Sequence, residues 1–420
     1  MATALDEQLV AFRQLKADFY RRNPRAAPED RKRALKERAA ILLQDVPIAT
    51  AADHAAKARN CLLCGKILNV LPDHEAKCEE YLSRAVKLDP SLIEAWNELG
   101  ECLWKKGDLP AAKNCFQTAL QKKRNPVSLR SLATALRQEG KTADERRKKM
   151  AESLTMSKEA VELNDRDAVS WYLLGNAYMI YFFACGQSSS ASMEKAVEAY
   201  EKALNLETEC NSADLYYNYA QALKYEQTYD KCVDCLKSAV SLDPNFAEAH
   251  EMLQNVLAYL RRMDECVCRK GKLKPKRLSE FVKSFNPTRD LGIFADSKYK
   301  CRKLSQLLSG ANPNSLLLSR VVGMIINEDS IPYTFAVIDQ AGECVVVCVY
   351  NFSPKFGVTI GTFVACAQPF VVEVSLSVDD QTLSFRCIRV CNPQLLVING
   401  SKLSADCVAY CDVKTTTFEA

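Results

Sequence analysis

The sequence predicts an α + β chain of two domains: an α-helical repeat superhelix followed by a small closed β-barrel. Three observations predict it. A pattern of small and aromatic residues returns about every 34 residues through the first part of the chain. The helical period then disappears after about residue 285. Apolar, β-branched runs with turns between them take its place. A length of 420 residues suits two domains.

The repeats come first. Trp96, Leu99, Gly100, Gly107, Ala112, Phe116 and Ala119 fall at the spacing of a tetratricopeptide (TPR) helix pair. Trp171, Leu174, Gly175 and Tyr178 repeat the first-helix pattern. Ala196, Tyr200 and Ala203 supply its second helix after an insertion, GQSSSASM (186–193), which reads as a loop. Tyr216, Tyr219, Ala220, Leu223, Cys232, Leu236, Ala239 and Pro244 form another copy. Gly65, Cys78, Leu82, Ala85 and Pro90 form an earlier one. Residues 127–137 and 146–164 read as a degenerate pair between them.

The logic is steric. Small residues stand where helices cross closely, and large ones fill the holes. Proline ends a second helix because it lacks an amide donor and clashes with the preceding turn. Each pair buries its apolar face only against its neighbours, so several must stack. The expected order is a helical cap over 1–54 and a TPR superhelix over 55–272, closed by a long helix at 247–268. A basic tether and linker follows over 273–312.

The barrel is expected over 313–405, with a tail at 406–420. Its strands read as 316–326, 333–339, 343–351, 360–367, 370–390 (two strands turning at Asp379–Asp380) and 395–400. This number of short strands fits an OB-fold, with Ile360–Val364 as its mid-barrel strand; a β-sandwich is the alternative. Single-stranded nucleic acid wants a basic groove with stacking aromatics. Between 316 and 400 the cations Arg320, Lys355, Arg386 and Arg389 face seven acids, which favours a structural or protein-binding barrel.

Composition excludes several function classes. The net charge of +4 predicts no bulk polyanion partner. The first residues lack the parts of a signal peptide, and no run approaches the ~20 apolar residues of a membrane span. No membrane association is expected. The 19 cysteines occupy positions for small apolar residues, as free thiols do in a reducing compartment. A cytoplasmic location is expected, with the nucleus also open. Cys61/Cys64 and Cys232/Cys235 form C-x-x-C pairs, but neither has a partner pair at zinc spacing, so no metal is expected. With three histidines and no phosphate loop, dinucleotide fingerprint or nucleophile elbow, neither an enzyme nor a cofactor is expected.

Charge is polarised along the repeats. Residues 105–149 hold 13 Lys/Arg against four Asp/Glu; residues 190–251 hold five against twelve. The run RKGKLKPKR (269–277) is basic as well. It reads as a polyanion-binding tether, a nuclear-import signal or a solvated linker. In a TPR the second, fifth, sixth and ninth residues of first helices line the concave groove. Asp214 and Glu248 both stand at the second position, one repeat apart, and share one wall. Asn176 stands at a ninth position and Asn218 at a sixth. Such asparagines grip peptide backbone in the carboxylate clamp of heat-shock co-chaperones. Here Tyr172 and Glu248 replace two of its cations, so a terminal carboxylate is disfavoured and a basic ligand residue is favoured. Arg137, upstream, is placed to take an acidic one. The groove predicts a short ligand with Arg and Glu close together.

The segments YLSRAVKLDP, EAWNELGECLWKKGDLPAA, VSLRSLATALRQ, SWYLLGNAY, ALKYE, GKLKPKRL and LLVINGS resemble the tetratricopeptide repeat protein 5 family. The resemblance covers residues ~60–400. It implies a factor of tubulin autoregulation that recognises the emerging tubulin N-terminus, Met-Arg-Glu followed by Ile or Cys, on the ribosome. Through further adaptors such a factor brings a deadenylase to tubulin mRNA for decay. The family's groove arginine matches Arg137, its groove acids match Asp214 and Glu248, and its ribosome-facing lysine pair matches Arg84 and Lys87. A nuclear role as a stress-responsive transcriptional cofactor, partnered with an acetyltransferase coactivator, is the alternative that the resemblance also implies.

Overall fold

A computed structural model describes residues 2–47, 53–185, 187, 190–206, 212–285, 294, 299–378 and 381–409. The chain divides into two compact units. The first holds residues 1–222 and 235–249, and the second holds 223–234 and 250–412.

The first unit is helical. Helices α1 (Ala2–Ala17), α2 (Phe19–Arg22) and α3 (Pro28–Gln44) precede the repeats. Four helix pairs follow: α4 (His54–Asn69) with α5 (Ala76–Leu88), α6 (Ile93–Lys106) with α7 (Leu109–Lys122), α8 (Pro126–Leu136) with α9 (Ala143–Leu163), and α10 (Ala168–Ala184) with α11 (Ser190–Asn205). Helices α12 (Ala213–Tyr225), α13 (Tyr229–Leu242) and α14 (Ala247–Cys268) end the repeat region. Local chemistry sets the starts and stops. Thr142 and Glu145 close a reciprocal capping box ahead of α9. Gly107 ends α6 with φ +87, which a side chain rarely adopts. Part of the GQSSSASM insertion lies outside the described residues, and α11 already begins at Ser190.

The small residues of the repeat are where large ones land. A Cβ on Gly100 would stand 2.5 Å from Phe116, and one on Gly175 would stand 2.7 Å from Tyr200. One on Gly65 would meet Leu82. In an exposed helix, Gly→Ala stabilises by about 1 kcal/mol. Here the sign reverses: Gly100→Ala is expected to cost about 1–3 kcal/mol, because Phe116 must leave its seat. A fall in the urea midpoint checks this, and a rise would refute the close crossing.

The second unit contains one sheet in the order β10–β9–β6–β3–β4–β5–β8–β7–β2, with β1 (Lys300–Arg302) paired parallel to β3. Its strands are β2 (Gly310–Ala311), β3 (Ser315–Ile325), β4 (Tyr333–Ile338), β5 (Cys344–Val349), β6 (Phe363–Ala367), β7 (Phe370–Val378), β8 (Gln381–Val390), β9 (Leu396–Ile398) and β10 (Ser401–Lys402). The core comes from alternate positions, among them Leu317, Val321, Phe335, Val337, Val347, Val349, Ile388 and Val390.

Three expectations need correction. The stretch 273–312 is not all linker: it carries α15 (Pro275–Lys283), β1 and β2. Phe281 is buried, and its amphipathic helix is too short for a helical period to stand out. The strand expected from Ile360 starts only at Phe363, because Gly361 turns with φ +97 and donates its N–H to the Val321 carbonyl. The barrel region also reaches past 405, since Phe352 bridges to Val408. Asp379–Asp380 lies outside the described residues, although Val378 and Gln381 pair on either side.

Helices belong to the second unit too. The Tyr259 hydroxyl of α14 shares a hydrogen bond with Thr334 Oγ1 at 2.7 Å. Arg262 bonds Glu328 at 2.8 Å and the Ile326 carbonyl at 3.1 Å. Arg389 of β8 stacks on Tyr225 at 4.8 Å and Tyr350 at 4.5 Å, donates to the Tyr225 carbonyl and approaches Glu226 at 3.7 Å. Arg389→Ala strips both rings of their cation and leaves a carbonyl unpaired, at an expected cost of about 2–4 kcal/mol. Chemical denaturation checks it; a loss below 0.5 kcal/mol, roughly the surface-substitution range, would contradict the structural role.

Candidate functional site

The five groove residues named above all lie in the first unit. Arg137 follows α8 directly. Its guanidinium donates to Thr134 Oγ1 at 2.9 Å and to the Leu173 carbonyl of α10 at 3.4 Å. It keeps some surface contact, yet its head is deep among protein atoms. That desolvation pulls its pKa down to about 10, against an opposing pull from Tyr172 and Tyr200. Both of its hydrogen-bond acceptors are neutral, and no carboxylate among the described residues pairs with it.

Asp214 sits half-buried in the first turn of α12, and Glu248 sits exposed in the first turn of α14. Helix N-termini favour carboxylates in these positions. The acidic wall is therefore built from the starts of two first helices, as the 34-residue spacing requires.

Asn176 and Asn218 differ from expectation. Both are fully buried. Asn176 Oδ1 accepts from the Tyr200 hydroxyl at 2.7 Å, and Asn218 Nδ2 donates to the Tyr172 hydroxyl at 2.8 Å. Their amides hold tyrosines instead of standing open to a peptide backbone. Tyr172 and Tyr200 are themselves fully buried, with ring centroids 6.3 Å apart. Burial raises the Tyr200 pKa, and neighbouring Arg137 partly offsets this. The asparagines thus act one layer below, fixing the two phenols against which Arg137 rests. Sequence reasoning assigned Tyr200 to packing alone, because its repeat position always carries a large residue.

Glu98 also escaped the sequence reading, although it stands at a sixth position, next to Asn97 at a fifth. Asn69 Nδ2 donates to its carboxylate at 2.8 Å, and Arg13 of α1 reaches it at 3.5 Å. Burial raises its pKa, with the Glu101 charge adding to the rise. At the other end of the unit, buried Tyr20 of α2 lies against Asp243 and Asn245, and its pKa is raised chiefly by burial. Asn245 also donates to the Ala26 carbonyl at 3.4 Å. The segment before the repeats therefore touches both α6 and the α13–α14 turn.

Arg84 and Lys87 stand on α5, three residues apart, and both are exposed. Neither forms an ion pair among the described residues. Many cations of 105–149 are engaged instead: Lys113 with Glu139, Arg124 with Glu159, Arg130 with Asp167 and Lys149 with Glu152.

In the sheet, all four basic residues of 316–400 have structural partners. Arg386 donates to the Leu304 and Leu307 carbonyls, and Lys355 pairs with Asp406. Arg320 stacks on Phe363 at 3.8 Å, and Arg389 on the tyrosines already named. No described group of three or more His, Cys, Asp or Glu is arranged to hold a metal. Cys61, Cys64, Cys232 and Cys235 are all buried, and burial pushes Cys64 up to about 12. No described helix is long and apolar enough to cross a membrane.

Comparison with known proteins agrees with this architecture. Residues 298–412 match the tetratricopeptide repeat protein 5 OB-fold domain, and residues 93–126 and 213–246 match tetratricopeptide repeats. Human tetratricopeptide repeat protein 5 is 38% identical over 356 residues, covering 82% of this chain and 80% of its own. The mouse protein is 37% identical with the same coverage. The bovine protein is 38% identical over 351 residues, covering 81% of this chain and 79% of its own.

Proposed function

The chain belongs to the tetratricopeptide repeat protein 5 family, a TPR adaptor with an OB-fold, and on that premise we propose that it grips the N-terminus of newly made tubulin. The ligand is Met-Arg-Glu followed by Ile or Cys, met as it leaves the ribosome. Holding it marks that ribosome, and a further adaptor then brings a deadenylase to the translated tubulin mRNA.

The observation that carries this reading is Arg137. A desolvated guanidinium bonded only to neutral groups is costly by itself and favours an incoming carboxylate. The peptide glutamate supplies one. Asp214 and Glu248, on two later first helices, present the opposite charge for the peptide arginine. Charge-assisted hydrogen bonds of this kind are short, directional and sensitive to order along the ligand. Asn176 and Asn218 contribute by fixing Tyr200 and Tyr172 beside Arg137. Arg84 and Lys87 supply the ribosome contact from α5. Capture of ribosomes from a translating lysate tests the whole reading. The captured ribosomes should be enriched in tubulin nascent chains, and capture without that enrichment would leave only a peptide-binding adaptor.

A further inference from the structure

The basic run 269–277 is built onto the second unit and does not hang from it. Gly271, at φ +69, lies so close to the Val322 carbonyl that a Cβ there would collide with it. Lys270 donates to the Gly342 carbonyl at 2.7 Å, and Arg269 and Lys272 each pair with Glu265 at 3.1 Å. The first half of the run is thus occupied in holding the segment down.

The second half differs. Lys274, Lys276 and Arg277 are exposed, and no described acid pairs with any of them. Together with Arg320, Glu280, Phe281 and Ser284 they line an open cavity of about 520 Å³. Four cations face one carboxylate there. The first turn of α15 carries no acid, so its own electrostatics disfavour the cations it holds. Arg320 is fixed by its rings, 3.8 Å over Phe363 and 4.8 Å over Phe281.

We propose that this face of α15 and β3 binds the sugar-phosphate backbone of a structured RNA without reading its sequence. Three exposed cations around a fixed one suit successive phosphates, which need charge and not shape. Single strands want an open aromatic face on which bases stack. Phe281, the aromatic residue of the cavity wall, is buried, and its ring is flanked by Arg320 and by Arg277 at 5.4 Å. The inference is separate from the peptide groove, whose residues lie in the other unit.

The test uses the full chain and three probes: a short RNA duplex, single-stranded poly(U) and a serine-phosphorylated peptide. The variant combines Lys274→Glu, Lys276→Glu and Arg277→Glu. A second variant places Gln at the same three positions and guards against gross charge effects. Both should keep the parent's melting temperature, because the three side chains are exposed. Duplex RNA should bind more tightly than poly(U). The Glu variant should lose at least about tenfold in duplex affinity, and its slope of log affinity against log salt should fall by roughly 3. The Gln variant should lie between the two. Unchanged duplex binding in the folded Glu variant overturns the proposal. So does tighter binding of poly(U), or binding of the phosphopeptide alone through these three residues.

Discussion

Exchanging Arg and Glu within a Met-Arg-Glu-Ile peptide is expected to weaken its binding by at least about 100-fold, roughly 2.7 kcal/mol. The exchanged peptide keeps composition and net charge. It presents its carboxylate to Asp214 and Glu248 and its guanidinium to Arg137, so every contact becomes repulsive. Calorimetric titration of both peptides reads the difference, and equal affinities would sink the assignment. Arg137 provides the companion experiment. Arg137→Met should abolish measurable binding while stabilising the free protein by about 1–2 kcal/mol, since a desolvated cation without a carboxylate partner is removed. The pH dependence has a definite sign. The pKa of Arg137 lies below its ordinary value, at about 10, and a bound carboxylate raises it. Affinity should therefore hold at neutral pH and fall as pH rises through about 10. A variant that binds normally, or a profile flat across that range, would remove Arg137 from the site.

Ribosome association should be lost when Arg84→Glu is combined with Lys87→Glu. Both side chains leave the same face of α5, and neither is tied to an acid among the described residues, so reversal adds repulsion without unmaking a structural contact. The expected fall in co-sedimentation at physiological salt is about tenfold or more, and it should shrink as salt rises and the attraction is screened. Circular dichroism and melting should match the parent. A folded double variant that still travels with ribosomes would show that α5 is not the contact surface.

The repeat region was legible because its period is enforced by contact. Gly65, Gly100 and Gly175 must be small for Leu82, Phe116 and Tyr200 to seat, so their spacing survives in the sequence. Strand positions were legible from alternation and β-branching. The acids Asp214 and Glu248 were legible because a 34-residue repeat returns the same face. The roles of Asn176 and Asn218 were not: a repeat position gives a direction, and the tyrosines that occupy their amides come from other helices. Membership of the second unit was hidden for the same reason. Tyr259 and Arg262 look like any amphipathic helix until Thr334 and Glu328 are brought to them. The folded state of 273–283 was masked by its charges, which hide the single buried anchor, Phe281.

A linear stack of repeats ordinarily has two loose ends, and its outermost pair can melt while the middle persists. The segment ahead of the first repeat alters that accounting. Arg13 is joined to Glu98, while Tyr20 and Ala26 meet the Asp243–Asn245 turn some 220 residues later in the chain. Contacts between such distant parts of the chain make opening one end depend on opening the other. The helical unit is thereby given the cooperativity of a closed domain, with one shared melting transition in place of progressive unzipping.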